Sequence, residues 1–244
     1  MIRKNVPLAA TLLVFFVSTH VLAIPVGGGF DLGIDVTAAS DYRYFGISQT
    51  LGDPALQVGA TLTSPIGAYI GTWVTNVDFG STAKSKTEQD YYAGWYIPVS
   101  DNFSIDVGWL KYTYDKNSEL NQSSYYVITT YEGLKLTYQY TDNMLQKQTS
   151  NYTALSYEYP LTDDSRINVR YGVLDYKDNS IISGSSKGRS KYAEWEARFE
   201  KDYLEATWSA SLVDTDLSSS ECKSLSGYDD LCSAELVFSV TKKF

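Results

Sequence analysis

The sequence ends Ala234-Glu235-Leu236-Val237-Phe238-Ser239-Val240-Thr241-Lys242-Lys243-Phe244. Ala234, Leu236, Phe238 and Val240 alternate with Glu235, Val237, Ser239 and Thr241. That period of two marks a strand with one oily face and one wet face. Phe244 stands at the end of the strand, with no polar tail after it. An apolar strand with an open edge invites aggregation. A strand that pairs with the first strand and closes a barrel has no such edge. Leu236, Phe238, Val240 and Phe244 are therefore expected to form the barrel-closing strand. From these residues alone, the last strand of a secreted β-sandwich stays open as an alternative.

The front of the chain has the form of an export leader. Arg3 and Lys4 precede a mostly apolar run from Val6 to Val17, and Val21-Leu22-Ala23 is a small-residue cleavage pattern before Ile24. The apolar run is short for a membrane helix, which needs about 20 residues. Residues 1–23 are thus expected to be removed between Ala23 and Ile24, leaving residues 24–244 as the working chain. The formal net charge of the whole sequence is −9, and loss of Arg3 and Lys4 makes the remainder more acidic. A phosphate backbone needs a basic footprint, so nucleic acid is not an expected partner. No later stretch is apolar for 18 consecutive residues, the length a membrane helix calls for. The 21 Tyr and 5 Trp favour membrane interfaces instead.

Alternation recurs along the chain. Clean runs begin at Phe30, Leu56, Phe103, Leu134, Ile167, Ala193 and Leu204, and rougher ones cover 68–76, 89–97, 124–131 and 152–159. With the terminal run they make about twelve strands. The links between them alternate in length. Short ones lie at 64–67, 98–102, 132–133, 160–164 and 201–202, long polar ones at 40–53, 78–88, 115–122, 141–150, 177–188 and 214–231. Short periplasmic turns and longer extracellular loops are the mark of an up-and-down barrel, and a Greek-key sandwich makes no such pattern. The expected fold is all-β, a transmembrane antiparallel up-and-down β-barrel in the bacterial outer membrane.

Charges facing lipid at mid-depth are costly, so charged members of each strand are expected inside. Asp31, Asp35, Asp106, Lys135, Gln139, Asn168 and Arg170 fall on inward faces, and Glu194, Glu196, Arg198, Glu200 and Glu205 share one wall. The acid surplus on that wall predicts a mild preference for cations.

Asp41-Tyr42-Arg43-Tyr44-Phe45-Gly46-Ile47-Ser48-Gln49-Thr50 is followed by Gly52-Asp53-Pro54-Ala55-Leu56-Gln57. Then come Tyr69-Ile70-Gly71-Thr72-Trp73-Val74-Thr75-Asn76-Val77-Asp78-Phe79 and Asp90-Tyr91-Tyr92-Ala93-Gly94-Trp95. Over residues 36–96 the chain resembles the TorF family of porin-like proteobacterial barrels. That family usually carries Arg directly before the glycine of the first motif; here Phe45 stands there, and Arg43 lies two residues earlier. The resemblance implies an outer-membrane barrel and a pore, and supplies no substrate. Physically, Asp41 and Arg43 belong to a tyrosine-dense loop. It either folds inward and constricts the lumen, with Arg43 against acidic wall residues, or rests on the rim by its aromatics.

Cys222 and Cys232, the only cysteines, share the last long loop, and an exported chain is expected to join them in a disulfide. The acids of that loop, Asp214, Asp216, Glu221, Asp229 and Asp230, match no ordered calcium loop. Lys177, Lys187, Arg189 and Lys191 cluster in the preceding loop. They either meet lipopolysaccharide phosphates or are simply solvated. The sole histidine is His20, inside the expected leader, so the working chain lacks the usual proton carrier near neutral pH. No nucleophile elbow or phosphate-binding glycine loop occurs. The expectation is a channel rather than an enzyme, with no cofactor and no metal, passing small hydrophilic solutes. Its expected partners are outer-membrane lipid, lipopolysaccharide and, through the terminal strand, the barrel-assembly machinery. The alternative is a closed barrel whose outer loops serve adhesion or envelope structure.

Overall fold

The computed structural model describes residues 23–144 and 148–244, so the expected leader up to residue 22 lies outside the described part. Twelve long strands follow one another: β1 (Phe30–Ala39), β2 (Ala55–Thr63), β3 (Ala68–Asn76), β4 (Thr87–Pro98), β5 (Phe103–Tyr114), β6 (Gln122–Tyr131), β7 (Leu134–Met144), β8 (Gln148–Thr162), β9 (Ser165–Asp175), β10 (Lys191–Tyr203), β11 (Ala206–Thr215) and β12 (Glu235–Lys243). Each pairs antiparallel with the next, and β12 returns to pair with β1, closing the barrel. At the seam Ser239 stands opposite Ala39 and Lys243 opposite Asp35. Phe244 extends that ladder: its N–H donates to the Ile34 carbonyl at 2.8 Å, and Ile34 N–H donates to the Phe244 carbonyl at 3.2 Å. The terminal strand thus closes the cylinder as expected. Ile24–Gly27 folds back on β1, with Ile24 opposite Leu32, and extends the seam beyond Phe244.

Burial is inverted relative to a water-soluble domain. Leu236 and Phe238 are 49% and 54% exposed, whereas Glu194 and Glu196 are 0% and 4% exposed. Alternation therefore places the apolar set outside and the polar set inside, which is the arrangement of a transmembrane barrel. Two of the short turns explain their own sequences. Glu132-Gly133 and Leu204-Glu205 are two-residue links in which both residues have positive φ, the type I′ geometry that matches strand twist.

The interior wall is thinned by glycine where tyrosine rings lie across it. A Cβ added at Gly71 would run into Tyr92, one at Gly94 into Tyr69, one at Gly108 into Tyr126 and one at Gly172 into Tyr152. Each ring rests over the glycine of a neighbouring strand. This lets a bulky inward side chain lie along the wall rather than across the bore.

Two expected links are corrected. The short link placed at 201–202 lies within β10, which runs to Tyr203 and turns at Leu204-Glu205, so β11 starts at Ala206 rather than Leu204. The link predicted over 141–150 is mostly strand: β7 runs through Met144 and β8 starts at Gln148, with Thr141 paired to Ser150 and Met144 to Gln148. Residues such as Asp142 and Asn143 are polar because the pair projects beyond the apolar band, not because the chain leaves the ladder.

Adding a methyl group under a packed ring should destabilise by about 1–3 kcal/mol. Gly94→Ala and Gly108→Ala are each expected to lower the temperature at which the folded, fast-migrating form converts to the unfolded form in detergent electrophoresis. Gly52→Ala, where no atom lies within 4 Å of the added Cβ but φ is +79°, separates the steric cost from backbone strain.

Candidate functional site

The first long loop turns into the barrel. Arg43–Tyr44 and Ile47–Ser48 form a miniature hairpin, and Phe45 and Gly46 at its tip both have positive φ, again type I′. Asp41 ties the base together. Its carboxylate accepts from Ser48 Oγ at 2.6 Å, Thr50 Oγ1 at 2.9 Å and Arg43 Nε at 2.7 Å. Asp41, Tyr42, Ser48 and Thr50 are all buried.

The hairpin reaches from one wall to the other. On one side the Tyr42 ring stands edge-on to Trp73 of β3, and the Tyr44 hydroxyl lies 3.0 Å from that of Tyr112 of β5. On the other, the Phe45 ring rests 4.3 Å from that of Tyr152 of β8, and Tyr192 of β10 donates to the Phe45 carbonyl at 3.0 Å. A Cβ at Gly46 would strike Thr215 and Glu194, so the tip has no room for any other residue.

The last loop fastens this plug from above. Helix α1 (Ser219–Ser226) begins with a capping box between Ser218 and Glu221 and ends at Gly227 with φ 85°. Cys222 and Cys232 are disulfide-bonded, with Cα atoms 5.8 Å apart. The segment held by that bond lends carbonyls to the first loop: Ser48 N–H donates to Leu231 at 3.0 Å, and Arg43 Nη1 donates to Ser233 at 2.9 Å. Arg189 braces the helix through Glu221 at 2.8 Å and Asp216 at 2.9 Å.

Below the plug, one wall is an ion ladder. Glu194, Arg170, Glu196, Arg198, Glu200, Arg166 and Asp202 succeed one another along β9 and β10. Arg170 holds Glu194 with two hydrogen bonds at 2.9 and 3.0 Å, and Glu196 at 3.0 Å. Arg198 spans Glu196 at 2.6 Å and Glu200 at 3.6 Å, and Arg166 spans Glu200 at 2.6 Å and Asp202 at 3.0 Å. The facing wall is tyrosine-rich: Tyr69 donates to Asp106 at 2.7 Å and is hydrogen-bonded to Tyr126, and Gln139 donates to Tyr112 at 3.1 Å. Between the walls lies a cavity of about 130 Å³, room for several waters. Arg43, Lys135, Gln139, Arg170, Glu196 and Arg198 line it together with serine and threonine hydroxyls. Nearer the turns a second space of about 20 Å³ sits among Arg166, Glu200 and Lys243.

Of the residues expected inside, Asp31, Asp35, Asp106, Lys135, Gln139, Arg170, Glu194, Glu196, Arg198 and Glu200 lie on inward faces of their strands. Glu205 does not: it occupies the β10–β11 turn and pairs with Lys242 at 2.9 Å at the barrel rim. Asp41 and Arg43 lie in the hairpin that turns into the barrel, and Arg43 binds Asp41 and loop carbonyls rather than wall acids. The ground for cation preference also changes, because the acids of that wall are interleaved with arginines. Three members of the basic loop cluster are engaged by acids: Lys177 and Lys191 by Asp175, Arg189 by Asp216 and Glu221. Sequence reasoning missed Arg166, Glu88, Asp90, Tyr42 and Trp73 as interior groups. The spacing of Glu88 and Asp90, two residues apart in a strand whose alternation is blurred by tyrosines, was the available signal.

Residues 25–244 match the family model described as "Bacterial protein of unknown function (Gcw_chp)"; the TorF name is not borne out by the match. No curated protein matches the sequence. Among solved structures, the chain is similar to a KdgM porin at 10% identity and a TM-score of 0.53, covering 87% of this chain and 98% of that one. It is similar to a NanC porin at 10% identity and a TM-score of 0.53, covering 85% and 97%. At that identity the likeness establishes the fold, a twelve-stranded barrel of the porin type.

Two outcomes follow from the ion networks. Arg170→Ala leaves Glu194 and Glu196 buried without their shared cation, a loss of about 3–5 kcal/mol, to be read as a lower midpoint of urea unfolding in lipid vesicles. Arg189 hydrogen bonds hold the Glu221 carboxyl down to about 2, against an ordinary value of about 4.3. A carboxyl depressed in the folded state contributes stability above its unfolded pKa and loses it as pH falls through the folded one. Amide exchange in Ser219–Ser226 should therefore stay slow until pH approaches about 2; Arg189→Ala should move the loss of protection to higher pH.

Proposed function

We propose that this chain, which belongs to the Gcw_chp family of bacterial proteins of unknown function, is a narrow porin-like channel of the outer membrane that passes small hydrophilic solutes by diffusion. The observation that carries this reading is the cavity of about 130 Å³, with charged and hydroxyl side chains in its lining, at the centre of a closed barrel with an apolar exterior. Diffusion needs no catalytic group, only a wet lumen with hydrogen-bonding walls. The ladder on one side and the hydroxyls of Thr37, Thr137, Ser156, Ser209, Ser211 and Ser239 supply such walls. Two solved neighbours named as porins share the barrel, which supports the reading at the level of fold. In this role the exterior meets outer-membrane lipid, the long loops face the lipopolysaccharide leaflet, and the strand ending at Phe244 is the segment offered to the barrel-assembly machinery. Substrate choice rests with the first loop, since Tyr44, Phe45 and Arg43 form the lid of the cavity.

The wall-to-wall bonds of that loop favour a second reading, a non-conducting barrel whose outer loops have a structural or adhesive role. Planar-bilayer recordings separate the two. Discrete openings in the native protein, with a several-fold larger conductance when a short Gly-Ser link replaces Arg43–Ser48, are the expected result. Silence from both proteins would leave the non-conducting barrel.

A further inference from the structure

Not every interior acid has a guanidinium. Glu88 and Asp90 stand two residues apart on β4, so both point inward, and they are 2% and 1% exposed. No Lys or Arg forms an ion pair with either among the described residues. Glu88 Oε2, both Asp90 carboxylate oxygens and Trp73 Nε1 lack a hydrogen-bond partner, and the only groups beside the Glu88 carboxyl among the described residues are the hydroxyls of Tyr42 and Tyr114. These atoms share one place. Trp73 of β3 lies directly across from Asp90, as Tyr112 of β5 does on the other side, and Thr75 and Tyr114 flank Glu88 in the same way. Tyr42, edge-on to Trp73, is supplied by the first loop.

The charged and titratable groups facing the pair are uniform in kind. The first loop brings Tyr42 and Tyr44, β5 brings Tyr112 and Tyr114, and β4 itself brings Tyr92. From β1 comes Asp35, whose carboxylate lies near Tyr92. All are phenols or carboxylates, and none is a cation. The contrast with the opposite wall is chemical, since every ladder carboxylate there touches an arginine. An ionised carboxylate that is neither paired nor hydrated is strongly disfavoured, and two side by side more so. The first loop seals the pair from water while it sits on this wall. Seating and ionisation therefore oppose each other.

We propose that Glu88 and Asp90 are a proton-binding site that latches the first loop in the lumen. With protons on the pair, Tyr42 rests against Trp73 and the hairpin spans the bore. When the protons pass to lumen water, the two carboxylates take up water, Tyr42 is displaced from the wall and the bore widens. The anchors on the far wall, Phe45 on Tyr152 and Tyr192 on the Phe45 carbonyl, stand beside Glu194, but that carboxylate accepts from Tyr152 and is held by Arg170, so the tyrosine wall is the side that lets go.

The widening rests on the channel reading, but the latch is tested without it. Acrylamide quenching of Trp73, isolated by difference against Trp73→Phe, is followed from acid to neutral pH in protein refolded into lipid vesicles. Quenching of the native protein should rise several-fold with pH, while Glu88→Gln/Asp90→Asn should stay low throughout. Should the double variant fail to fold, Asp90→Asn alone should shift the profile to higher pH. A variant with the native profile overturns the latch, as does quenching that ignores pH. Quenching that answers to added sodium or calcium instead of protons also overturns it and assigns the pair to a metal cation. Conductance recorded across the same pH series keeps the two ideas apart. A pH-dependent Trp73 signal without current upholds the latch and removes the channel. Current without a pH-dependent signal does the reverse.

Discussion

A strand in hydrocarbon has no water to satisfy its N–H and C=O groups, so each must have a neighbour on both sides. In this chain that demand falls hardest on the seam, where the first and last strands meet. Phe244 meets it with both of its backbone groups, exchanging hydrogen bonds with Ile34, while Ile24–Gly27 covers the part of β1 that β12 does not reach. Once the cylinder is closed, the period of two leaves no choice about the other face. Every second residue must be polar enough for an interior that is too wide to be filled by aliphatic packing alone.

That interior satisfies itself in two different ways. Along β9 and β10 charge answers charge, each arginine shared between two carboxylates. Along β3 to β6 phenols answer one another, and glycines make room for their rings. The first loop bridges the two halves with one aromatic group for each: Tyr42 toward Trp73, Phe45 toward Tyr152. Because the disulfide-bonded loop lends it carbonyls, the plug is part of the folded structure rather than a loose lid. The ground beneath Tyr42, at Glu88 and Asp90, has no Lys or Arg ion pair among the described residues.

The barrel and its terminal strand were legible in the sequence because alternation is a local property: Leu236, Phe238 and Val240 declare their face without reference to any partner. The same holds for Glu194 to Glu200, whose side follows from Trp195 and Phe199 between them. Legibility failed where the outcome depends on what lies across the bore. Nothing in Arg43 announces that Asp41 and Ser233 would claim it before a wall acid could. Glu205 looked like a continuation of the acidic run, but the chain reverses at Leu204. Glu88 and Asp90 were hidden because Tyr and Thr suit either environment, the membrane interface or a wet lumen, and so blur the period around them. The strand extensions around Met144 escaped for the opposite reason: polar residues outside the apolar band look like loop, although the hydrogen-bond ladder continues through them.

The order of charges on β9 and β10 has a meaning beyond the lumen. In the observed register Arg170 faces Glu196, Asn168 faces Arg198 and Arg166 faces Glu200. Sliding one strand by a single residue would turn the whole set toward lipid. Sliding it by two keeps the faces right, yet in one direction it sets Arg170 against Arg198 and in the other it sets Arg166 there. These neighbours are joined by a long connection rather than a tight turn, so the loop does little to fix their alignment. The row of side chains acts as a proofreading code: the neutral Asn168 in the middle fits opposite Arg198 in one alignment, and each near miss is rejected by a clash of like sign while the wall is being built.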